Sequence, residues 1–282
     1  MRMAYLILAH RDPEQLAALI ARLLRDHPED RVVLHYDRGS PLSDDELRSF
    51  AARFGPAVSL VPRVRCLWGH HSQIEAEWRL KKAATELAID YAHLISGQGW
   101  PVATKPDMAA AIEPGAAYVS YEQPDLTERM DDYHFHDRML GPNPHTSSRR
   151  YHLDMSLRRA ARLYTGLRGA RTCPWGPSWK KGSAWWSLSQ EALRFAVPRI
   201  GAELERGRFR QTLCGDEHVV PTLMAYSPFA DRLRDNRRFI RWKPGTSNPE
   251  LLRAGDEPAI RASDAWFARK VDRNVDSFFL RL

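Results

Sequence analysis

Two charged pairs in this 282-residue chain, Asp216-Glu217 and Arg269-Lys270, have the types and spacing to do chemistry. Adjacent Arg and Lys side chains can hold a diphosphate without a metal ion: the guanidinium fork binds two oxygens at once and the ammonium adds a compact charge. A carboxylate such as Glu217, kept ionised, can take the proton from an attacking hydroxyl. Together with the turn-forming run Ser96-Gly97-Gln98-Gly99-Trp100-Pro101, these residues point to transfer from a nucleotide-diphosphate donor. Each also has a plainer reading. A Glu opening an apolar helix complements the helix dipole, and two adjacent basic residues often end a solvated edge strand. Trp185 and Trp186 alternate across a predicted strand, so one packs in the core while the other is free to offer a sugar-stacking face. His70-His71, His134, His136, His145 and His152 lack the carboxylate or thiol spacing that would complete a metal site, and they read as loop or acceptor-side histidines.

The elements that must position these groups alternate in the first third of the chain. Ala4 to Ala9 reads as a strand. Asp12-Pro13-Glu14 opens a helix with Leu16, Leu19, Ile20, Leu23 and Leu24 on one face, and Arg31 to Tyr36 is a second buried strand ending at Asp37. Such a unit implies parallel neighbours joined by a right-handed crossover. Ser43-Asp44-Asp45-Glu46 starts another helix, Val58 to Val61 gives a strand, Ser72 to Asp90 has the helical period, and His93 to Ile95 runs into the Ser96 turn. Ligands of open α/β sheets bind beyond the carboxyl ends of the strands, which puts His10, Asp37 and Ser96 to Trp100 around one crevice. From 121 to 180 the sequence turns polar and rich in His and Arg, with Pro142, Pro144, Pro174 and Pro177 expected to break any long element. This stretch reads as a loop-rich insertion over a site. Ala184 to Leu188 is then a strand, Ser189 caps a helix, and Asp216-Glu217 leads a helix through Val219, Val220, Leu223 and Met224. No repeat or linker divides the chain, so residues 1–282 read as a single domain.

Composition narrows the classes further. A hydrophobic content of 43% allows a large core. No segment approaches the roughly 20 apolar residues of a membrane helix, so no membrane span and a cytoplasmic location are expected. Cys66, Cys173 and Cys214 are odd in number and unpaired by motif, which argues for reduced thiols rather than a disulfide framework or zinc site. The formal net charge is +7, and nearly all the positive charge is Arg, since Lys occurs only at 81, 82, 105, 180, 181, 243 and 270. That balance favours anionic partners, nucleotides or nucleic acid among them.

In order along the chain, Ala9-His10-Arg11-Asp12-Pro13, His35-Tyr36-Asp37-Arg38, Trp68-Gly69, Ser96-Gly97-Gln98, Gly182-Ser183-Ala184-Trp185, Asp216-Glu217 and Phe267-Ala268-Arg269-Lys270 resemble the core-2/I-branching glycosyltransferases. That family includes β-1,6-N-acetylglucosaminyltransferases and peptide O-xylosyltransferases. The resemblance implies an α/β fold of the GT-A type with a mostly parallel central sheet flanked by helices, a UDP-sugar donor, transfer with inversion, and no cofactor or metal. The chain itself contains no DxD tripeptide. By position Glu217 matches the family's catalytic base, Arg269 and Lys270 match the basic pair that neutralises the leaving diphosphate, and Asp37 matches the acidic position beside the nucleoside. His10 and Gly97 fall on the donor side, and Trp185, Trp186 and Asp216 on the acceptor side. The donor sugar expected is N-acetylglucosamine or xylose, and the acceptor a hydroxyl of a small molecule, glycan or polymer.

The sequence departs from the family pattern at two places. Gly99 stands where an acidic residue usually follows the Ser-Gly-x segment. Glu250 stands nearest the place of a second phosphate-binding Arg, leaving Arg253, Arg241 or Lys243 as substitutes, or Arg269 alone. Two other readings share the fold: a DNA modified-base glycosyltransferase holding DNA on the Arg-rich 149 to 171 and 206 to 241 segments, and an inactive nucleic-acid-binding or scaffold protein.

Overall fold

The computed structural model describes residues 1–25, 27–135, 148–243 and 248–282. In chain order its strands are β1 (Met3–Ala9), β2 (Arg31–Tyr36), β3 (Val58–Leu60), β4 (Tyr91–Ser96), β5 (Gly99–Pro101), β6 (Ala117–Tyr118), β7 (Ser187–Ser189), β8 (Leu233–Arg234), β9 (Arg238–Ile240) and β10 (Phe267–Arg269). Its helices are α1 (Pro13–Leu24), α2 (Asp44–Ala52), α3 (Ser72–Thr85), α4 (Lys105–Ala111), α5 (Glu128–Asp131), α6 (Ser148–Arg168), α7 (Gln190–Glu205), α8 (Asp216–Ala225) and α9 (Glu257–Ala262).

Among the described residues a seven-stranded sheet runs in the order β3-β2-β1-β4-β7-β6-β8. Strands β3, β2, β1 and β4 are mutually parallel, β7 is antiparallel to β4, and β6 and β8 return to the first direction. This is the mixed α/β architecture expected from the sequence. The chain steps outward from β1 through β2 to β3, then crosses to the other side of β1 for β4. The carboxyl ends of β1 and β4 therefore flank the point where strand order reverses, which is where α/β sheets open a crevice.

Alternation along β1 explains why both faces are covered. Met3, Tyr5, Ile7 and Ala9 pack with α1, α2 and the second sheet, while Ala4 and Leu6 pack with α3, α7 and α8. Near-continuous apolar strands are what a sheet buried on both faces requires. Local sequence sets the helix starts. Asp12 sits in the left-handed region and accepts a hydrogen bond from Gln15 N at 2.9 Å; Ser43 and Glu46 form a capping box at α2; and Ser189 caps α7 by accepting from Ala192 N.

A second, three-stranded sheet was not legible beforehand. Strand β10 lies between β5, antiparallel, and β9, parallel. The expected turn at Ser96 to Pro101 thus includes a short strand, because Gly99 to Pro101 find partners 166 and more residues away. The 121–180 stretch also differs from expectation. Its prolines fall before and after the 21-residue α6, and none lies inside it, so nothing in the backbone breaks that helix. Trp185 and Trp186 precede β7 rather than lying in it, since pairing with β4 involves only Ser187 to Ser189.

On α3, Glu77 and Lys81 form an ion pair of 2.9 Å with side chains 3% and 0% exposed, and the Lys81 ammonium lies 5.2 Å from the Trp186 ring centre. Burial pushes the Glu77 carboxyl up, and Lys81 opposes that shift. Removing one partner of such a pair strands a buried charge. Lys81→Met is expected to lower unfolding free energy by about 3–5 kcal/mol, and Glu77→Leu/Lys81→Met to recover most of it, as read by urea denaturation.

Candidate active site

Residues of β10, α8 and the segment before β7 line a cleft of about 570 Å³. Glu217 and Asp216 line it from the first turn of α8, Arg269 from β10, and Trp185 and Gly182 from the segment leading to β7. A carboxylate at a helix N-terminus is favoured by the dipole, which suits Glu217 in the first turn of α8. Gly182 is required at its position: a Cβ would stand 2.1 Å from the Ser120 carbonyl oxygen, and its N–H donates to the Glu217 carbonyl at 2.8 Å.

Glu217 is partly exposed to the cleft and accepts from Arg129 Nη1 at 2.8 Å through Oε2. Asp216 keeps some surface in the cleft, yet its Oδ1 is shut off from water and has no hydrogen-bond partner among the described residues. Its carboxyl is raised to about 8, first by burial and then by the negative Glu217 and Glu77. Asp216 therefore carries its proton near neutral pH while its neighbour is pinned by a cation.

Arg269 is fixed by backbone on both sides, opposite Gly99 of β5 and Ile240 of β9. Its guanidinium lies 4.7 Å from the Trp185 ring centre. Burial brings it down to about 10 and Asp216 acts the other way, so it stays charged at neutral pH. The Lys270 ammonium is disfavoured by burial, then by Arg11 and Arg269, with Asp272 opposing. His10 is held below its ordinary value by loss of solvent and by Arg11, Lys270 and Arg269, with Asp37 opposing. Asp37 Oδ1 accepts from Gly39 N at 2.6 Å and Cys66 N at 3.3 Å.

The sequence candidates thus sort into groups. Glu217, Asp216, Trp185 and Arg269 share the cleft; His10, Asp37 and Lys270 follow β1, β2 and β10 and do not line it, and the charges of Asp37 and Lys270 act on His10. Gly97 lines a separate cavity of about 330 Å³ with Arg11, Gln15 and Asp272; a Cβ there would meet Ala9 Cβ at 2.9 Å. Trp186 is a correction. It is 0% exposed in the core beneath the sheet and lines no part of the cleft, because Lys81 and the α7 and α8 side chains enclose it. Trp185 presents a ring to the cleft but spends a face on Arg269.

Gly99 lies directly across from Arg269, where a Cβ would stand 3.1 Å from the Ser96 carbonyl oxygen. The carboxyl that acts on Arg269 is Asp216, once it ionises above about pH 8. Arg241 is engaged by Glu250 and Asp256, and neither it, Lys243 nor Arg253 is among the cleft residues. Arg129, Lys181, Arg238 and Trp242 are. Arg129 was missed because nothing distinguishes it in sequence from the other arginines of the insertion; only its 2.8 Å contact with Glu217 does. His70 bonds Ser72 and its ring lies 3.9 Å from that of His71, tilted by 46°, and His134 bonds the Glu128 carbonyl; His136 and His145 lie outside the described residues. No group of three or more His, Cys, Asp or Glu is placed to hold a metal ion among the described residues. Burial pushes the Cys66 and Cys214 thiols to about 12, and all three cysteines are free.

The family model of the Core-2/I-Branching enzyme matches residues 3–260. The chain belongs to that family. It is accordingly a glycosyltransferase, with the mixed α/β architecture described above. The match stops short of Arg269 and Lys270, so the place of that pair rests on the pairing of β10. The enzyme is similar to solved structures of LgtC: an active-site mutant (TM-score 0.45, 9% identity, 95% of this chain and 86% of that chain) and the galactosyltransferase with donor and acceptor sugar analogs (TM-score 0.43, 10% identity, the same coverage). It is also similar to the mannosyltransferase PcManGT from Pyrobaculum calidifontis in complex with GDP-Man and Mn2+, with a TM-score of 0.32, 13% identity, 43% of this chain and 36% of that chain. No curated protein matches the chain significantly in sequence. No described helix is long and apolar enough to cross a membrane.

Asp216 gives a pH test. Its folded value lies above the ordinary 3.8, so its contribution to stability is fully present below that pH and is lost as pH rises toward 8. Asp216→Asn lacks this dependence. The stability of Asp216→Asn relative to wild type is expected to increase from acid to about pH 8 and level off above it, as measured by chemical denaturation across pH; parallel curves would show an ionised Asp216.

Proposed function

We propose that the enzyme is an inverting, metal-independent glycosyltransferase moving N-acetylglucosamine or xylose from a UDP-sugar to an acceptor hydroxyl. The observation that carries this reading is the joint presence of Glu217 and Arg269 in one cleft, with a proton acceptor and a diphosphate-binding cation facing the same space. Glu217 takes the acceptor proton as the acceptor oxygen bonds to the anomeric carbon, and the bond from that carbon to the diphosphate breaks on the opposite face. Arg129 holds one Glu217 oxygen, which leaves the other for the acceptor. Arg269 and Lys270 receive the charge developing on the leaving diphosphate, the role that metal ions fill in other transferases. The absence of a DxD tripeptide supports this division of labour. Trp185 holds the Arg269 guanidinium across its ring, which limits reorganisation as charge develops.

UDP release from a panel of UDP-sugars tests the proposal. Glu217→Gln is expected to lower kcat by about 10²–10⁴ with little change in donor affinity. Arg269→Ala/Lys270→Ala is expected to lose about 10²–10³ or more in kcat/KM. Turnover is expected to persist in EDTA; its loss there, or full activity in Glu217→Gln, overturns the reading.

A further inference from the structure

The geometry points to the outer face of α6 as a docking surface for an anionic bilayer. Among the described residues the helix is anchored from one side. Tyr164 meets the Tyr133 and Phe135 rings edge-on at 4.9 and 5.5 Å, Thr165 Oγ1 accepts from Tyr133 N at 3.1 Å, and Ala161 is 4% exposed. These residues fall on one stripe at helical spacing. The opposite stripe carries Met155, Leu163 and Leu167, which are 36%, 72% and 88% exposed, with Arg159 and Arg162 exposed between and beside them. Leu163 and Leu167, four residues apart, stand one above the other.

Leucines this exposed beside arginines are costly to leave in water and are what an interfacial helix uses: apolar side chains enter the acyl boundary while guanidinium groups meet lipid phosphates. Charge complementarity selects the occupant. Residues 155–168 contain four Arg and no acidic residue, a composition drawn to an anionic leaflet. A nucleic acid would use the arginines and leave the leucines idle, whereas a bilayer uses both. At 21 residues α6 measures about 31 Å, but it is not apolar enough to cross a membrane, so it lies in the plane of the surface. The helix is one short segment from the cleft: Tyr133, its anchor, follows α5, whose Arg129 touches Glu217. Docking through α6 would hold the cleft near a lipid surface, and this inference does not depend on the identity of the donor sugar.

Flotation with vesicles of phosphatidylcholine, alone or with about 30 mol% phosphatidylglycerol, tests it on the full chain. The wild type is expected to float with the anionic vesicles and not with the neutral ones. Leu163→Ser/Leu167→Ser and Arg159→Glu/Arg162→Glu are each expected to weaken binding by about tenfold or more. Both variants should keep the wild-type circular dichroism and rate of UDP release, since the residues face outward. Equal recovery with neutral vesicles, or none with either, overturns the proposal. So does retention by a DNA duplex that needs the arginines but not the leucines, or a dimer in solution that the leucine variant abolishes without any vesicle binding.

Discussion

The cleft depends on the backbone pairing of β10. This three-residue strand, held between β5 and β9, carries Arg269 into a place where its charge is stripped of much of its water. Hydrogen bonds along both edges fix the main chain, so the guanidinium can be held at the cleft without its side chain having to find the position alone. Phe267 and Ala268, the other two residues of the strand, are buried in the core between the sheets. The same apolar contact that stabilises the C-terminal segment therefore sets the position of the cation.

Around that fixed charge the remaining groups fall into complementary states. Asp216 and Glu217 are neighbours in sequence, yet their surroundings separate them. Glu217 reaches Arg129 and the open cleft, while one Asp216 oxygen has neither solvent nor a partner and the carboxyl holds its proton to about pH 8. Two adjacent carboxylates at one helix end would repel if both were ionised, and unequal burial removes the conflict. Beneath them the Glu77–Lys81 pair places a further buried charge pair under Trp186. That pair lines no part of the cleft, yet the Glu77 charge still acts on Asp216.

Much of this was legible in advance because it is local. The apolar runs of β1 and β2, the Asp12 and Ser43 caps and the Asp216-led helix follow from nearest-neighbour chemistry, and the structure has them within a few residues of the expected limits. Three features were not legible. Strand β5 and its partners are too short and too far apart in sequence to signal pairing. Helix α6 was obscured by prolines that flank it without entering it. Trp185 and Trp186 looked equivalent as alternating residues, but Lys81 from α3 and the packing of α7 and α8 close over only one of them.

The sequence by itself determined the alternation of strand and helix, the ordered motifs of the family and the residue types able to act at a diphosphate and a hydroxyl, because each of these is written in local periodicity or in side-chain chemistry. Tertiary structure decided which of those residues meet. Arg129 reaches Glu217 across 88 positions, Gly99 comes to lie opposite Arg269, and Gly97 is drawn into a different cavity. Those outcomes depend on how distant segments exclude water from one another, and exclusion of water is a property of packed surfaces that no single stretch of chain contains.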